Sequence, residues 1–267
     1  MDNYICITCG TQFAQTDETP KHCPICEDER QYIGNNGQQW TTLAELKQSH
    51  HSRIEKQENK LYGIGTQPSL GIGQRALLIQ SDQGNVLWDC ISFIDDQTIE
   101  KVNELGGIAA IAISHPHFYG LAVEWAKAFG VKAYLHEADR QWLMRPDPNI
   151  EFWKGNILEL QEGVTLIKAG GHFEGATVCH WMLGANRLGA LLTGDVIQVV
   201  ADKPWVSFMY SYANLIPLSA SKVRSIANAV EPYKFDRIYG AWWGSVIPSK
   251  AKVSVQNSAE RYINALR

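Results

Sequence analysis

The chain lacks any apolar run of about eighteen residues, the length needed to cross a bilayer, and its opening M-D-N-Y-I-C has neither a basic stretch nor an apolar core. Neither membrane insertion nor secretion is expected, which places the protein in the cytoplasm. A basic excess is missing too. Against 28 Asp and Glu stand 24 Lys and Arg, a net charge of -4, so no nucleic-acid partner is expected. No internal repeat or low-complexity segment is visible. Cysteine is scarce, six in 267 residues, and in a reducing compartment such residues serve as metal ligands or free thiols more often than as disulfides. What is present, at 45% hydrophobic residues, suffices for one sizeable core and a small accessory unit.

Four of the six cysteines fall at the start, as C-I-T-C (Cys6, Cys9) and C-P-I-C (Cys23, Cys26). Each turn presents two thiolates to one ion, and two turns complete a closed tetrahedral site with no position left for a substrate. Residues 1–34 therefore read as a separate metal-stabilised module, too short to fold on apolar burial alone. Its first 30 residues carry six acidic side chains against Lys21 and Arg30, which disfavours phosphate contact and favours docking on the larger domain. The segment C-I-T-C-G, then P-K-H-C-P-I-C and Tyr32, resembles the rubredoxin-like domain of rubrerythrins, where the ion is iron. Zinc ribbons share the spacing. Zinc is preferred here, with iron as the alternative, because no second redox centre is evident.

Thr42 stands three positions before Glu45, a capping-box pattern that predicts a helix over about residues 43–51, and the polar residues 52–60 read as linker. The expected division is thus a module at 1–34, a helical linker at 35–61 and a main domain at 62–267. From Tyr62 onward strands and helices alternate. A-L-L-I-Q and N-V-L-W-D-C-I flank a hairpin turn, Asp96 can cap a helix carrying Ile99, Val102 and Leu105, and I-A-A-I-A-I is an apolar strand ending at Ser114 and His115. A helix over about 121–129 closes on Gly130. Further strands are predicted at 157–160, 164–169, 176–183, 189–192 and 235–239. Late helices place Val223, Ile226, Ala227 and Val230, then Ala259, Tyr262, Ile263 and Leu266, on single apolar faces.

Four motifs follow or flank these strands: S-H-P-H (His115, His117), Y-L-H-E (His136), G-G-H-F-E-G (His172) and T-G-D (Asp195). Imidazole and carboxylate are the donors a divalent first-row metal prefers. In order and spacing, the chain from about residue 62 to its end resembles the metallo-β-lactamase superfamily. W-D-C-I stands at that family's strand-ending Asp, I-S-H-P-H-F-Y-G at its T-H-x-H-x-D-H, G-G-H-F-E-G at its G-H-x-x-G, and L-L-T-G-D at its strand-ending Gly-Asp.

The resemblance implies an α+β fold, a four-layer α/β/β/α sandwich preceded by the small four-cysteine ribbon. It also implies a first metal on His115, His117 and His172, with Asp195 as the bridging carboxylate. The second metal site departs from the pattern. Tyr119 takes the family's Asp position and Gly120 its next His, while the late G-H-G is replaced by G-A-W-W-G, so that none of Ala241, Trp242 and Trp243 is a ligand. One ion remains, Zn²⁺ or Fe. If the backbone is extended, His115 and His117 point the same way.

A lone His beside a strand is more often a hydrogen-bonded packing residue, and His50, His51, His136 and His180 are read so. Asp89 is expected to orient a loop or a metal-bound His, Cys90 and Cys179 to be inert strand residues, and Tyr119 either to pack or to donate a hydrogen bond to substrate or oxyanion. The aromatic stretch 205–212 reads mainly as core, with a part alongside Trp242 or Trp243 available to line a partly apolar pocket.

Three functions are compatible with this. The first is a single-metal hydrolase of a small-molecule carbonyl, ester, lactone or amide bond, with Asp195 orienting the nucleophile or moving its proton. The second is a single-iron oxidoreductase similar to persulfide dioxygenases, with His115, His172 and Asp195 as a facial triad. The third is a non-catalytic binding protein on the same fold.

Overall fold

The computed structural model describes all 267 residues, and the chain divides into two compact units: Met1–Leu135 with Arg140–Phe152, and His136–Asp139 with Trp153–Arg267.

In the first unit, the cysteine module adds a short strand, Ile5–Cys6, antiparallel to Trp40–Thr41. The capping box at Thr42 and Glu45 forms as expected, yet the helix behind it is only the single turn Leu43–Leu46. Of its residues only Leu46 is buried, and the polar residues after it offer no second apolar position to extend the turn. The predicted linker is likewise a strand: β1 (His51–Glu58) pairs antiparallel with β2 (Leu61–Gln67). Its polar composition is that of an edge strand, where charges discourage pairing with another chain.

The sheet continues through β3 (Ala76–Ile79), β4 (Val86–Trp88), β5 (Ala110–Ala112), β6 (Ala133–His136) and β7 (Ile150–Trp153), seven strands in sequence order. The hairpin β3–β4 is as predicted. Strands β4, β5 and β6 run parallel, so Asp89 and Ser114, which follow β4 and β5, leave the sheet at the same edge. Helix α1 (Asp96–Glu104) is capped by Asp95, whose side chain accepts from the Thr98 amide; the expected cap Asp96 lies one residue inside. Helix α2 (Ala122–Phe129) ends on Gly130 in the left-handed conformation at φ 65°, the usual glycine terminator.

The second unit holds a sheet of order β8 (Ile157–Gln161), β9 (Val164–Lys168), β10 (Thr177–Trp181), β11 (Ala190–Gly194), β12 (Arg237–Gly240) and β13 (Val246–Ile247). Strands β9 to β11 alternate in direction, so the ends of β9 and β11 emerge at one edge and carry His172 and Asp195. Every residue of β10 and β11 is buried, as a strand covered on both faces requires. In helices α3 (Ala220–Val230) and α4 (Ala251–Ala265), Val223, Ile226, Val230, Ala259 and Ile263 are buried as predicted. Leu266 instead lies past the end of α4 and is exposed, since the helix stops one residue before it.

Candidate metal centres

The four module cysteines are buried, and one sulfur from each lies within 4.8 Å of the others. Two local turns make this possible. The Gly10 amide donates to the Cys6 carbonyl at 2.8 Å, and the amides of Cys26 and Glu27 donate to the Cys23 carbonyl at 2.9 and 3.0 Å. Cys6 and Cys26 Sγ are 3.5 Å apart and Cys9 and Cys23 Sγ 3.7 Å. These separations are close to the roughly 3.8 Å edge of a tetrahedron with 2.3 Å zinc–sulfur bonds, so the donor set fits such an ion. Gln38 Nε2 donates to Cys6 Sγ at 3.0 Å, a contact that favours thiolate there. Hydrogen bonds with Cys23, Cys26 and Cys9 hold Cys6 well below the usual thiol range, while those with Cys23, Cys26 and Cys6 push Cys9 above it.

After β5, the Ser114 amide donates to Asp89 Oδ1 at 2.8 Å, which is the loop-orienting place expected of Asp89. Burial pushes that carboxyl up to about 7. Ser114 Oγ lies 2.9 Å from His115 Nδ1. The backbone is extended at His115, but Pro116–Phe118 forms a 3₁₀ turn, so the condition of extended backbone through both histidines is not met. Proline's fixed φ suits the first position of such a turn. The two imidazoles remain neighbours, with centroids 5.3 Å apart and planes at 72°, and both are buried. Tyr119 closes the turn, its amide donating to Pro116 O at 3.2 Å. It is 3% exposed and lines a small cavity with Thr11, Gln12, Val123 and Arg145.

In the second unit, Gly170 and Gly171, at φ 68° and 85°, turn the chain sharply after β9 and deliver His172. His172 Nδ1 lies 2.8 Å from Tyr210 O and 3.2 Å from Met209 O. Both are carbonyls and only accept, so Nδ1 carries a proton, and in the neutral tautomer the lone pair then sits on Nε2. That nitrogen is 3.7 Å from Asp195 Oδ2. A lone pair facing a carboxylate oxygen across this gap suits a cation between them. Tyr212 donates to the Asp195 carbonyl at 3.1 Å, and the Thr193 hydroxyl to Ile197 O at 2.7 Å, which fixes the turn after β11.

The remaining histidines follow the packing reading where the structure records a partner. His136 Nε2 pairs with Gly155 O and His180 Nε2 with Lys234 O, both at 2.9 Å. Cys90 and Cys179 are buried, and burial pushes the Cys90 thiol up. The carbonyls of Met209 and Tyr210 were not foreseen, because a backbone acceptor carries no residue signature. Part of the 205–212 stretch thus orients His172, while Val206 and Phe208 pack in the core.

Residues 71–242 match the Metallo-beta-lactamase superfamily, and the chain belongs to it. The fold is that of the superfamily, α+β with mixed sheets. The uncharacterized protein YmaE of Bacillus subtilis (strain 168) is 53% identical over 268 residues, spanning 100% of this chain and 97% of that protein. Among solved structures, the DIM-1 metallo-beta-lactamase covers 79% of this chain and 98% of its own at 16% identity and a TM-score of 0.59. The FIM-1 metallo-beta-lactamase from Pseudomonas aeruginosa, in its mono-zinc form, covers 79% and 95% at 12% identity and a TM-score of 0.59. The metallo-beta-lactamase from Hirschia baltica covers 79% and 97% at 20% identity and 0.56. No helix is long and apolar enough to cross a membrane.

Proposed function

We propose that the chain is a metal-dependent hydrolase that cleaves an ester, lactone, amide or related carbonyl bond of a small molecule at a single-ion site. His115, His117, His172 and Asp195 bind that ion, Zn²⁺ or Fe, and Cys6, Cys9, Cys23 and Cys26 bind a structural Zn²⁺ or Fe. The observation that carries the reading is the geometry of the two donor pairs, each within its own unit: the buried imidazoles of His115 and His117 are neighbours with centroids 5.3 Å apart, and His172 Nε2 faces Asp195 Oδ2 at 3.7 Å. Tyr119 and Gly120, in place of second-metal ligands, support one ion over two.

A bound ion supplies a Lewis acid and a water activated near neutral pH. The protein's own groups do the rest. Tyr210 and Met209 carbonyls fix the tautomer of His172 so that Nε2 is the donor, and Ser114 steadies His115. Asp195, anchored by the turn after β11, orients the nucleophile and takes its proton. Tyr119 supplies a hydrogen bond to the developing oxyanion.

Metal analysis together with turnover of an ester, lactone and amide panel tests this. The wild type should hold two ions and His172→Ala one, with turnover lost. Tyr119→Phe should keep both ions and lose turnover by about a hundredfold, the usual cost of one oxyanion donor. A His172→Ala protein that keeps both its ions and its turnover overturns the site. Red absorbance from an iron tetrathiolate, with no hydrolysis of the panel, favours the oxidoreductase instead.

A further inference from the structure

The cysteine module is built into the segment that carries the two neighbouring histidines. Gln12, three residues past Cys9, is bridged to Ile5 beside Cys6, and its amide donates to the Gly120 carbonyl at 3.2 Å, three residues past His117. Its side chain continues the contact: Gln12 Nε2 donates to Glu124 Oε1 at 3.2 Å, and Arg145 NH1 donates both to Gln12 Oε1 and, at 2.6 Å, to Glu124. The Ala14 amide donates to Met144 O at 3.1 Å, and Trp142 and Met144 pack on the cysteine cluster itself.

The first knuckle makes a second contact. A Cβ on Gly10 would stand 2.0 Å from Ser92 Oγ, and one on Gly120 would stand 2.8 Å from Ile91 O. Residues 91 and 92 directly follow Asp89 and Cys90, and Asp89 holds the Ser114 amide. The knuckle, the loop after β4 and the S-H-P-H turn thus form one close-packed cluster. The cavity among Thr11, Gln12, Tyr119 and Arg145 is about 10 Å³, at the lower limit for one water.

We infer that the four-cysteine module is a positioning element for the histidine turn, with Gln12 and Arg145 coupling occupation of the cysteine site to the metal affinity of His115 and His117. The inference rests on the reading above that these histidines bind metal. A filled cysteine site fixes residues 9–12, these fix Gly120 and Ser92, and the imidazoles are held ready for the ion. Ordering paid by the first ion is not paid again by the second, and the coupling is reciprocal. Gln12 and Arg145 are positioning residues.

The test is titration of the full metal-free chain with Co²⁺. Thiolate-bound Co²⁺ gives an intense charge-transfer band and imidazole-bound Co²⁺ only weak visible bands, so the sites are read separately. Gln12→Ala and Arg145→Met should keep the thiolate band and its midpoint, while affinity at the histidine site falls by about tenfold, within the usual range for coupling through packed networks. Arg145→Lys should recover part of the loss, and the exposed Arg224→Ala should lose nothing. Affinity unchanged in both variants overturns the inference, as does a loss that merely tracks loss of the thiolate band. If the wild type takes up only the thiolate-bound ion, the reading of the histidines as ligands fails and this inference with it. Two ions with unaltered affinities sink the coupling alone.

Discussion

The two candidate metal centres are built by opposite strategies. The cysteine centre takes all four sulfurs from residues 6 to 26, two per turn, so local hydrogen bonds place each pair. The proposed histidine and carboxylate donors lie between residues 115 and 195, each shortly after a strand, and the orientation of His172 and of the Ser114 turn comes from partners far away in the chain. His172 owes its tautomer to carbonyls 37 and 38 residues on, and the Ser114 turn owes its position to a carboxylate 25 residues back. A local centre therefore depends on the ion to hold its own fold. The strands that carry His172 and Asp195 are paired through β10 by backbone hydrogen bonds, so removing an ion from those residues should leave that sheet folded.

The sharpest way to break this comparison is to disable each centre separately. Cys23→Ser, or a chelator strong enough to strip the module, should lower thermal stability severely, since the structural ion of a small thiolate module is worth on the order of 10 kcal/mol of folding energy to that module. His172→Ala should cost about 2 kcal/mol or less, because β9, β11 and their turns remain paired. Calorimetry of both variants, metal-loaded and stripped, decides it. Equal losses would abolish the distinction between an ion that folds its site and one that fills it.

A smaller effect sharpens the same contrast. Gly10 sits at φ 77° with its α-carbon against Ser92, so Gly10→Ala meets both backbone strain and an overlap with Ser92 Oγ. The expected cost is about 2–4 kcal/mol. Adding Ser92→Gly should return the part due to overlap and leave the part due to φ. Urea unfolding of the two singles and the double measures that split, and strict additivity would show that the knuckle does not bear on the loop after β4.

How much of this was legible in the sequence follows from the same difference. The cysteine spacing announced its cluster because both turns are local. The strands at β3, β4, β9, β10 and β11 were legible because buried strands demand continuous apolar runs. His115, His117, His172 and Asp195 are proposed as a set only through motif order, and the carbonyls that orient His172 were not legible at all, since carbonyls look alike at every residue. Strand β1 was missed for a related reason. An edge strand is polar, and only its pairing with β2 distinguishes it from linker.

The smallest expected effect concerns a histidine that the fold uses as packing. His180 is buried on β10, and its Nε2 donates to Lys234 O at 2.9 Å; burial lowers its pKa below the ordinary histidine value. The folded state therefore prefers the neutral ring. Its contribution is fully present above the unfolded value of about 6.5 and is lost as pH falls from there through the folded value. His180→Asn, which keeps a donor without the titration, should flatten the acid limb of stability by at most about 1.4 kcal/mol per pH unit below 6.5. Urea midpoints from pH 7.5 down to 5 measure it. A limb unchanged in the variant would mean that the acid sensitivity belongs elsewhere, His136 being the next candidate because burial lowers its pKa as well. A histidine fixed by one carbonyl on an otherwise apolar strand needs no cation to be stable. His172 has the same kind of carbonyl contact at Nδ1, and it differs in turning its other nitrogen towards a carboxylate.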